Sequence, residues 1–376
     1  MTLKECFLLV VLWPYFHSKF RFEITFTDFD KEREDPYVLV GNHASLHDAL
    51  YTLINLKKKY PYPVMNTFVI TNSFMEAVLT KLVHTVHKRK GQSDFSVIKG
   101  MLSVFRRDKR GILLYPEGNS SFFGKESDYP FSTVKFLKKV QLDIVMCKIN
   151  GAYLAAPRWG IPARRGYIEL HFYTLIKGAE LEKMSLEEID QKLRSAMAFN
   201  DYDWNREKRV RYDNRHRAEG LQSYIYVCPQ CNNHKCLYTE GDSVYCTHCG
   251  KIASFNEYGF IEGLPFDNLV EWDRYQKQYL SRIAKEKLTT CGQLYEVNVT
   301  TFRRKRHGRV DIELDKGILQ MDGRKQSLSF NVSEIEGLVL TKKRDLSFDY
   351  QGKTYYVPFH DPMLFFDVIN YLKGGN

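Results

Sequence analysis

His43 and Asp48 belong to the run Gly41-Asn42-His43-Ala44-Ser45-Leu46-His47-Asp48. An imidazole is the natural general base near neutral pH. A carboxylate can accept the hydrogen bond of its other ring nitrogen, fix the tautomer and stabilise the imidazolium. Such a pair could take the proton of a hydroxyl whose oxygen then attacks an activated acyl group. The same spacing also suits a capped helix start with a surface histidine. An apolar run, Tyr37 to Val40, precedes the pair and reads as a short buried strand. The pair is therefore expected on a loop at a strand end.

A second apolar run, Ile112 to Tyr115, leads into Pro116-Glu117-Gly118-Asn119-Ser120-Ser121. In order and spacing the two blocks resemble the PlsC-like (lysophosphatidic acid) glycerolipid acyltransferases, which pair N-H-x4-D with a later F-P-E-G-T-R-S. The resemblance covers about residues 1–200. It implies that His43 is the base, that Asp48 orients it, and that Asn42, Glu117 and Gly118 contact substrate. It also implies an acyl thioester on coenzyme A or acyl carrier protein as co-substrate, and a lysoglycerophospholipid acceptor such as 1-acyl-glycerol-3-phosphate. Glu117 read alone is equally a carboxylate favoured by a helix N-terminus, and Gly118 allows close backbone approach.

Two positions depart from that pattern. Asn119 and Ser120 stand where the family has threonine and arginine. The resemblance gives that arginine to the acceptor phosphate, so other bases must take over. Val86 to Asp94 occupies the place of the family's intervening block, and it is basic. Lys88 and Lys90 would share a strand face, and basic side chains beside a helix N-terminus make a phosphate cradle. Arg158 is another candidate, or else a cation stacked on Trp159. The family's later hydrophobic block is represented by Ile144 to Cys147, without its proline.

The elements that must position these groups alternate between strand and helix. Strands are expected at Asn66–Thr71, Gly111–Tyr115, Asp143–Ile149 and Gly166–Leu175. Helices are expected over Asp94–Arg107 and from the capping box Ser185-Leu186-Glu187-Glu188 to about Met197. This predicts an α/β acyltransferase sheet with flanking helices over residues 1–205.

Cys228-Pro229-Gln230-Cys231 and Cys246-Thr247-His248-Cys249 form two CxxC pairs. Four thiolates at this spacing can surround one structural Zn2+, which predicts a zinc ribbon over residues 220–262. Disulfides are the competing reading, and no secretory signal supports them. A linking helix is expected over 263–288. Residues 289–376 read as seven short strands closed by one helix, and they resemble a pleckstrin-homology-like domain, a small mostly-β fold.

The 376-residue chain carries 55 basic and 45 acidic residues, a formal charge of +10 that favours anionic partners. The basic residues cluster at Lys81–Arg110, Arg206–Arg217 and Arg303–Arg306. Cys6 to Phe16 is apolar but well short of the roughly 20 residues a span requires. With Phe20 and Phe22 it suits an element lying in the membrane interface, or a helix on the domain core. The expectation is a peripheral acyltransferase on the cytoplasmic face of the membrane. Two rivals remain: a zinc-ribbon nucleic-acid-binding protein, which leaves His43, Asp48 and Glu117 idle, and a silent membrane-bound adaptor.

Overall fold

The computed structural model describes residues 3–56, 60–66, 84–88, 94–160, 163–212, 214–298, 303–324, 326–341 and 343–374. They form two compact units, one built mainly from residues up to 214 and one mainly from residues 215–376.

The first unit opens with helix α1 (Leu3–Lys19), which continues through Pro14. Strand β1 (Phe20–Thr27) follows directly. Its sequence Phe-Arg-Phe-Glu-Ile-Thr-Phe-Thr alternates, and so does its burial. Phe20 and Phe22 thus belong to a strand and not to the apolar N-terminal element. Then come β2 (Val38–Gly41), α2 (Asp48–Leu56), β3 (Tyr62–Asn66), β4 (Val86–Lys88), α3 (Asp94–Ser103) and β5 (Ile112–Leu114). The unit continues with α4 (Ser132–Val140), β6 (Ile144–Asn150), α5 (Ala152–Ala155), β7 (Gly166–Ile176), α6 (Gly178–Leu181), α7 (Leu186–Met197) and α8 (Asp201–Lys208).

The seven strands form one sheet in the order β1-β7-β6-β2-β5-β3-β4. Its pairs are parallel except β6–β7. The central strands are apolar on both faces because helices cover both. Val38, Val40, Ile112 and Met146 pack with Met101 of α3, Leu137 of α4 and Leu193 of α7. Leu39, Val145 and Cys147 alternate to the other face, where Thr52 of α2 meets the Cys147 sulfur at 3.7 Å. The capping box forms: the Glu188 amide donates to Ser185 Oγ, and the Ser185 amide donates to Glu188. The expected helix from Asp94 ends as α3 at Ser103 and passes into one π-turn, Val104–Asp108. Of the expected strand Asn66–Thr71, only Asn66 lies within the described residues, as the end of β3.

The second unit holds β8 (Leu237–Glu240), β9 (Ser243–Cys246), β10 (Gly250–Phe255) and β11 (Ile261–Glu262), an antiparallel sheet in the order β11-β10-β9-β8. The expected linking helix breaks into α9 (Leu269–Lys277) and α10 (Leu280–Ile283). A curled antiparallel sheet follows, from β12 (Leu288–Val297), β13 (Arg304–Asp315), β14 (Ile318–Gly323), β15 (Ser327–Asn331), β16 (Glu336–Thr341), β17 (Asp345–Tyr350) and β18 (Lys353–Pro358). Their order is β15-β14-β13-β12-β18-β17-β16. Helix α11 (Pro362–Leu372) buries Leu364, Phe365 and Val368. Within this unit the Tyr226 hydroxyl donates to Asp367 of α11 at 2.9 Å. Burial pushes Asp367 up to about 7, against the pull of Lys277.

Candidate functional site

The loop after β2 carries the first block. Gly41 ends that strand, and a β-carbon there would sit 2.8 Å from the Tyr115 ring. Glycine there leaves room for the Tyr115 ring, which any side chain would have to displace. Asn42 follows, fully buried. Its amide donates to the Ile149 carbonyl at 2.8 Å and accepts from the Ile149 amide at 2.8 Å. The side chain thereby extends the β2–β6 pairing by one step and fixes where His43 emerges.

His43 Nδ1 lies 2.9 Å from Asp48 Oδ2. Asp48 is the first residue of α2, is buried, and also accepts from the Ser45 amide at 2.7 Å. Burial pushes the Asp48 carboxyl up, while the hydrogen bond and charge of His43 pull it down. With Nδ1–H donated to the carboxylate, Nε2 is the basic nitrogen of the ring. The imidazole keeps 17% of its surface exposed and the carboxylate none, so the base faces outward and its partner is dry.

The second block closes on the first. The His43 amide donates to Glu117 at 3.1 Å, and the Ser121 amide donates to the His43 carbonyl at 2.7 Å. Glu117 also accepts from the Ser127 amide at 3.4 Å. Burial drives Glu117 up to about 8, opposed by these two amides. Near neutral pH it is therefore a neutral acid. Gly118, at φ +73°, turns the chain so that its amide reaches the Tyr115 carbonyl at 3.0 Å, and nothing crowds its α-carbon.

Sequence reasoning missed Tyr115. Its ring stacks on the His43 imidazole with centroids 4.5 Å apart and planes 27° apart. Its hydroxyl is 3.1 Å from Thr52 Oγ1, one turn into α2. Tyr115 thus links the strand end that carries Glu117 to the helix that begins with Asp48. The only available signal was a tyrosine where the resembled block has phenylalanine.

Ser120 is buried, and its hydroxyl has no hydrogen-bond partner among the described residues. Arg158, also buried, donates from Nη1 to the Ser120 carbonyl at 3.2 Å and lies over the Phe122 ring at 4.7 Å. A guanidinium thus stands beside Ser120 even though the local arginine is absent. Lys88 ends β4, but its side chain and all of Lys90 lie outside the described residues.

In the second unit the sulfurs of Cys228, Cys231, Cys246 and Cys249 all lie within 4.8 Å of one another. Metal–thiolate bonds of about 2.3 Å in a tetrahedron put sulfurs about 3.8 Å apart, and Cys231 and Cys246 are 3.8 Å apart. The His248 amide points at the Cys246 sulfur from 3.4 Å, the kind of contact that orients a ligating thiolate. The cluster can hold a metal ion. An overlapping set, Cys231, Cys236, Cys246 and His248, also converges.

Residues 23–147 match the protein-family model described as Acyltransferase. That segment contains His43, Asp48 and Glu117, so the chain carries an acyltransferase-like domain with a His–Asp pair at the matching spacing, its carboxylate buried. No curated protein matches. Among solved structures, the chain is similar to the 1-acyl-sn-glycerophosphate acyltransferase PlsC from Thermotoga maritima. Identity is 15%, TM-score 0.42, and coverage 56% of this chain and 80% of that one. It is also similar to inner membrane complex sub-compartment protein 3 from Toxoplasma gondii, at 10% identity and TM-score 0.19, covering 26% of this chain and 82% of that one.

Proposed function

We propose that this protein is a glycerolipid O-acyltransferase. It moves a fatty acyl group from an acyl thioester, on coenzyme A or acyl carrier protein, to the free hydroxyl of a lysoglycerophospholipid such as 1-acyl-glycerol-3-phosphate. The observation that carries this reading is the 2.9 Å contact between His43 Nδ1 and Asp48 inside the acyltransferase match. His43 Nε2 takes the hydroxyl proton as the oxygen attacks the thioester carbonyl. The new C–O bond forms, the C–S bond breaks, and the imidazolium returns the proton to the departing thiolate. Asp48 holds the ring and stabilises its positive charge. No acyl-enzyme is needed.

In this reading Glu117 and Gly118 border the acceptor, Asn42 sets the height of His43, and Lys88 and Lys90 hold the acceptor phosphate. The four cysteines bind a structural Zn2+, since an all-thiolate tetrahedron leaves no open position. Residues 289–376 act as a pleckstrin-homology-like module for an anionic lipid or a protein. The enzyme works peripherally on an anionic membrane. Among the described residues no helix is long and apolar enough to cross one.

The test is transfer from labelled acyl-CoA and acyl carrier thioesters to a panel of lysolipids, with products identified by mass. His43→Ala and Asp48→Asn should each cut turnover by about 10^2- to 10^4-fold, and near-normal turnover in both would remove His43 as the base. Lys88→Ala or Lys90→Ala should raise the Michaelis constant for lysophosphatidic acid by roughly 10- to 100-fold, from a contact worth about 1.5–3 kcal/mol. The constant for the acyl donor should stay near its starting value. Equal effects on phosphorylated and neutral acceptors would move the phosphate site elsewhere, with Arg158 the next candidate.

A further inference from the structure

At one edge of the first unit, α1, β1 and the start of β7 enclose an open cavity of about 440 Å3. Lys19, Arg21, Arg165 and His17 line it, together with Phe20 and Phe22. Among the described residues no acidic side chain lines it. Lys19 is held by the Tyr15 hydroxyl at 2.6 Å and the Tyr15 ring. Arg21 lies over the Tyr167 ring at 6.0 Å. Among the described residues none of Lys19, Arg21 and Arg165 forms an ion pair. Their positive charge is therefore available to an external anion.

Topology fixes where this cavity opens. β7 runs antiparallel to β6, and β6 runs parallel to β2. β1 is parallel to β7, with Phe20 opposite Gly166. The starts of β1 and β7 therefore lie at the same end of the sheet as the end of β2, where His43 emerges. The cavity wall also reaches the catalytic helix. Phe20 and Phe22 pack on Tyr51 of α2 at 5.6 and 5.4 Å between ring centroids. Just before the basic residues, α1 exposes Val10, Trp13 and Tyr15, at 65, 39 and 50% of their surfaces. Leu46, between His43 and Asp48, is 41% exposed.

We infer that this cavity is a headgroup cradle for anionic phospholipid, and that it seats the enzyme on a bilayer with His43 facing the membrane surface. The inference rests on the membrane part of the proposed function and supplies its residues. Cations beside exposed aromatic and aliphatic side chains match an interface of anionic headgroups over acyl chains. A free phosphate ester would use the cations and leave Val10, Trp13 and Leu46 unexplained.

The test is co-sedimentation of the full chain with phosphatidylcholine vesicles, with and without phosphatidylglycerol. The variant Lys19→Gln/Arg21→Gln/Arg165→Gln is compared with Lys99→Gln/Lys135→Gln/Lys139→Gln, which removes equal charge from exposed positions on α3 and α4. Each basic residue at an anionic surface contributes about 1 kcal/mol. The cradle variant should therefore lose roughly 100-fold in partitioning onto phosphatidylglycerol vesicles, at about 1.4 kcal/mol per decade, and the control should lose far less. Equal loss in both, or none in the cradle variant, overturns the inference. So does release of the protein by soluble glycerol 3-phosphate at matched ionic strength, which would make the cavity a site for free phosphate esters. Single Lys19→Gln and Arg165→Gln variants, checked by circular dichroism, guard against misfolding of the triple. Transfer to a short-chain lysolipid below its micelle concentration separates the two ideas. It should survive the cradle substitutions and fail in His43→Ala. Vesicle binding lost in the cradle variant while His43→Ala changes nothing would retire the proposed reaction and leave the cradle standing.

Discussion

Glu117 shows how burial gives one side chain two consequences. Its carboxyl is pushed up to about 8 by burial while it accepts from the His43 amide. A carboxyl whose folded value lies above its unfolded one stabilises the fold fully below the ordinary carboxyl range. That contribution is lost as pH rises through the folded value. Between about pH 4.5 and 8 the native state binds the extra proton, so stability should fall by up to about 1.4 kcal/mol per pH unit. Urea denaturation across this range should show a slope, and Glu117→Gln should reduce it by up to that amount, most clearly above pH 7 where the buried Asp367 no longer contributes; an unchanged slope in that variant would place the proton elsewhere. Tyr115 yields a separate test. Tyr115→Phe keeps the ring on His43 and loses the Thr52 contact, while Tyr115→Leu loses both. Turnover should fall modestly in the first and more in the second, with little change in either Michaelis constant, because a positioning residue acts on His43 and not on substrate. His43 and Asp48 were legible because their spacing is local in sequence, and Glu117 because it stands in a second local block, Pro116-Glu117-Gly118. Tyr115 on His43 and Arg158 on Ser120 were not, because each contact spans distant segments that only the folded sheet brings together.

Among the elements, β2 and β5 were legible because doubly buried strands read as unbroken apolar runs. β1 was not assigned, although its alternation is plain in Phe20-Arg21-Phe22-Glu23-Ile24, because an apolar segment runs straight into it. The cysteine cluster was legible because a CxxC turn brings two sulfurs together, where they can hold one ion. It also carries a stability prediction. Zinc binding and folding are coupled in such modules, so Cys249→Ser or a strong chelator should lower the melting temperature of the second unit. Elemental analysis should find one zinc per chain, and a metal-free protein with an unchanged melting temperature would refute the assignment.

On the scale of the whole molecule, each compact unit has a buried core of its own. Scanning calorimetry should accordingly resolve two transitions, with chelator moving only the one that reports the second unit. A single transition would mean that the units unfold together. The first unit's sheet carries a further consequence, this time for biosynthesis. β1 lies at the edge and pairs with β7, although most of the unit's sequence lies between them. During translation, at about 5–20 residues per second, the N-terminal strand waits roughly 7–30 s for its neighbour to leave the ribosome. Throughout that interval α1 and the phenylalanines of β1 have no finished sheet to cover them. The nascent chain is then most prone to capture by chaperones, by other chains or by the membrane itself, and the edge bearing Lys19, Arg21 and Arg165 is the last part of the sheet to close.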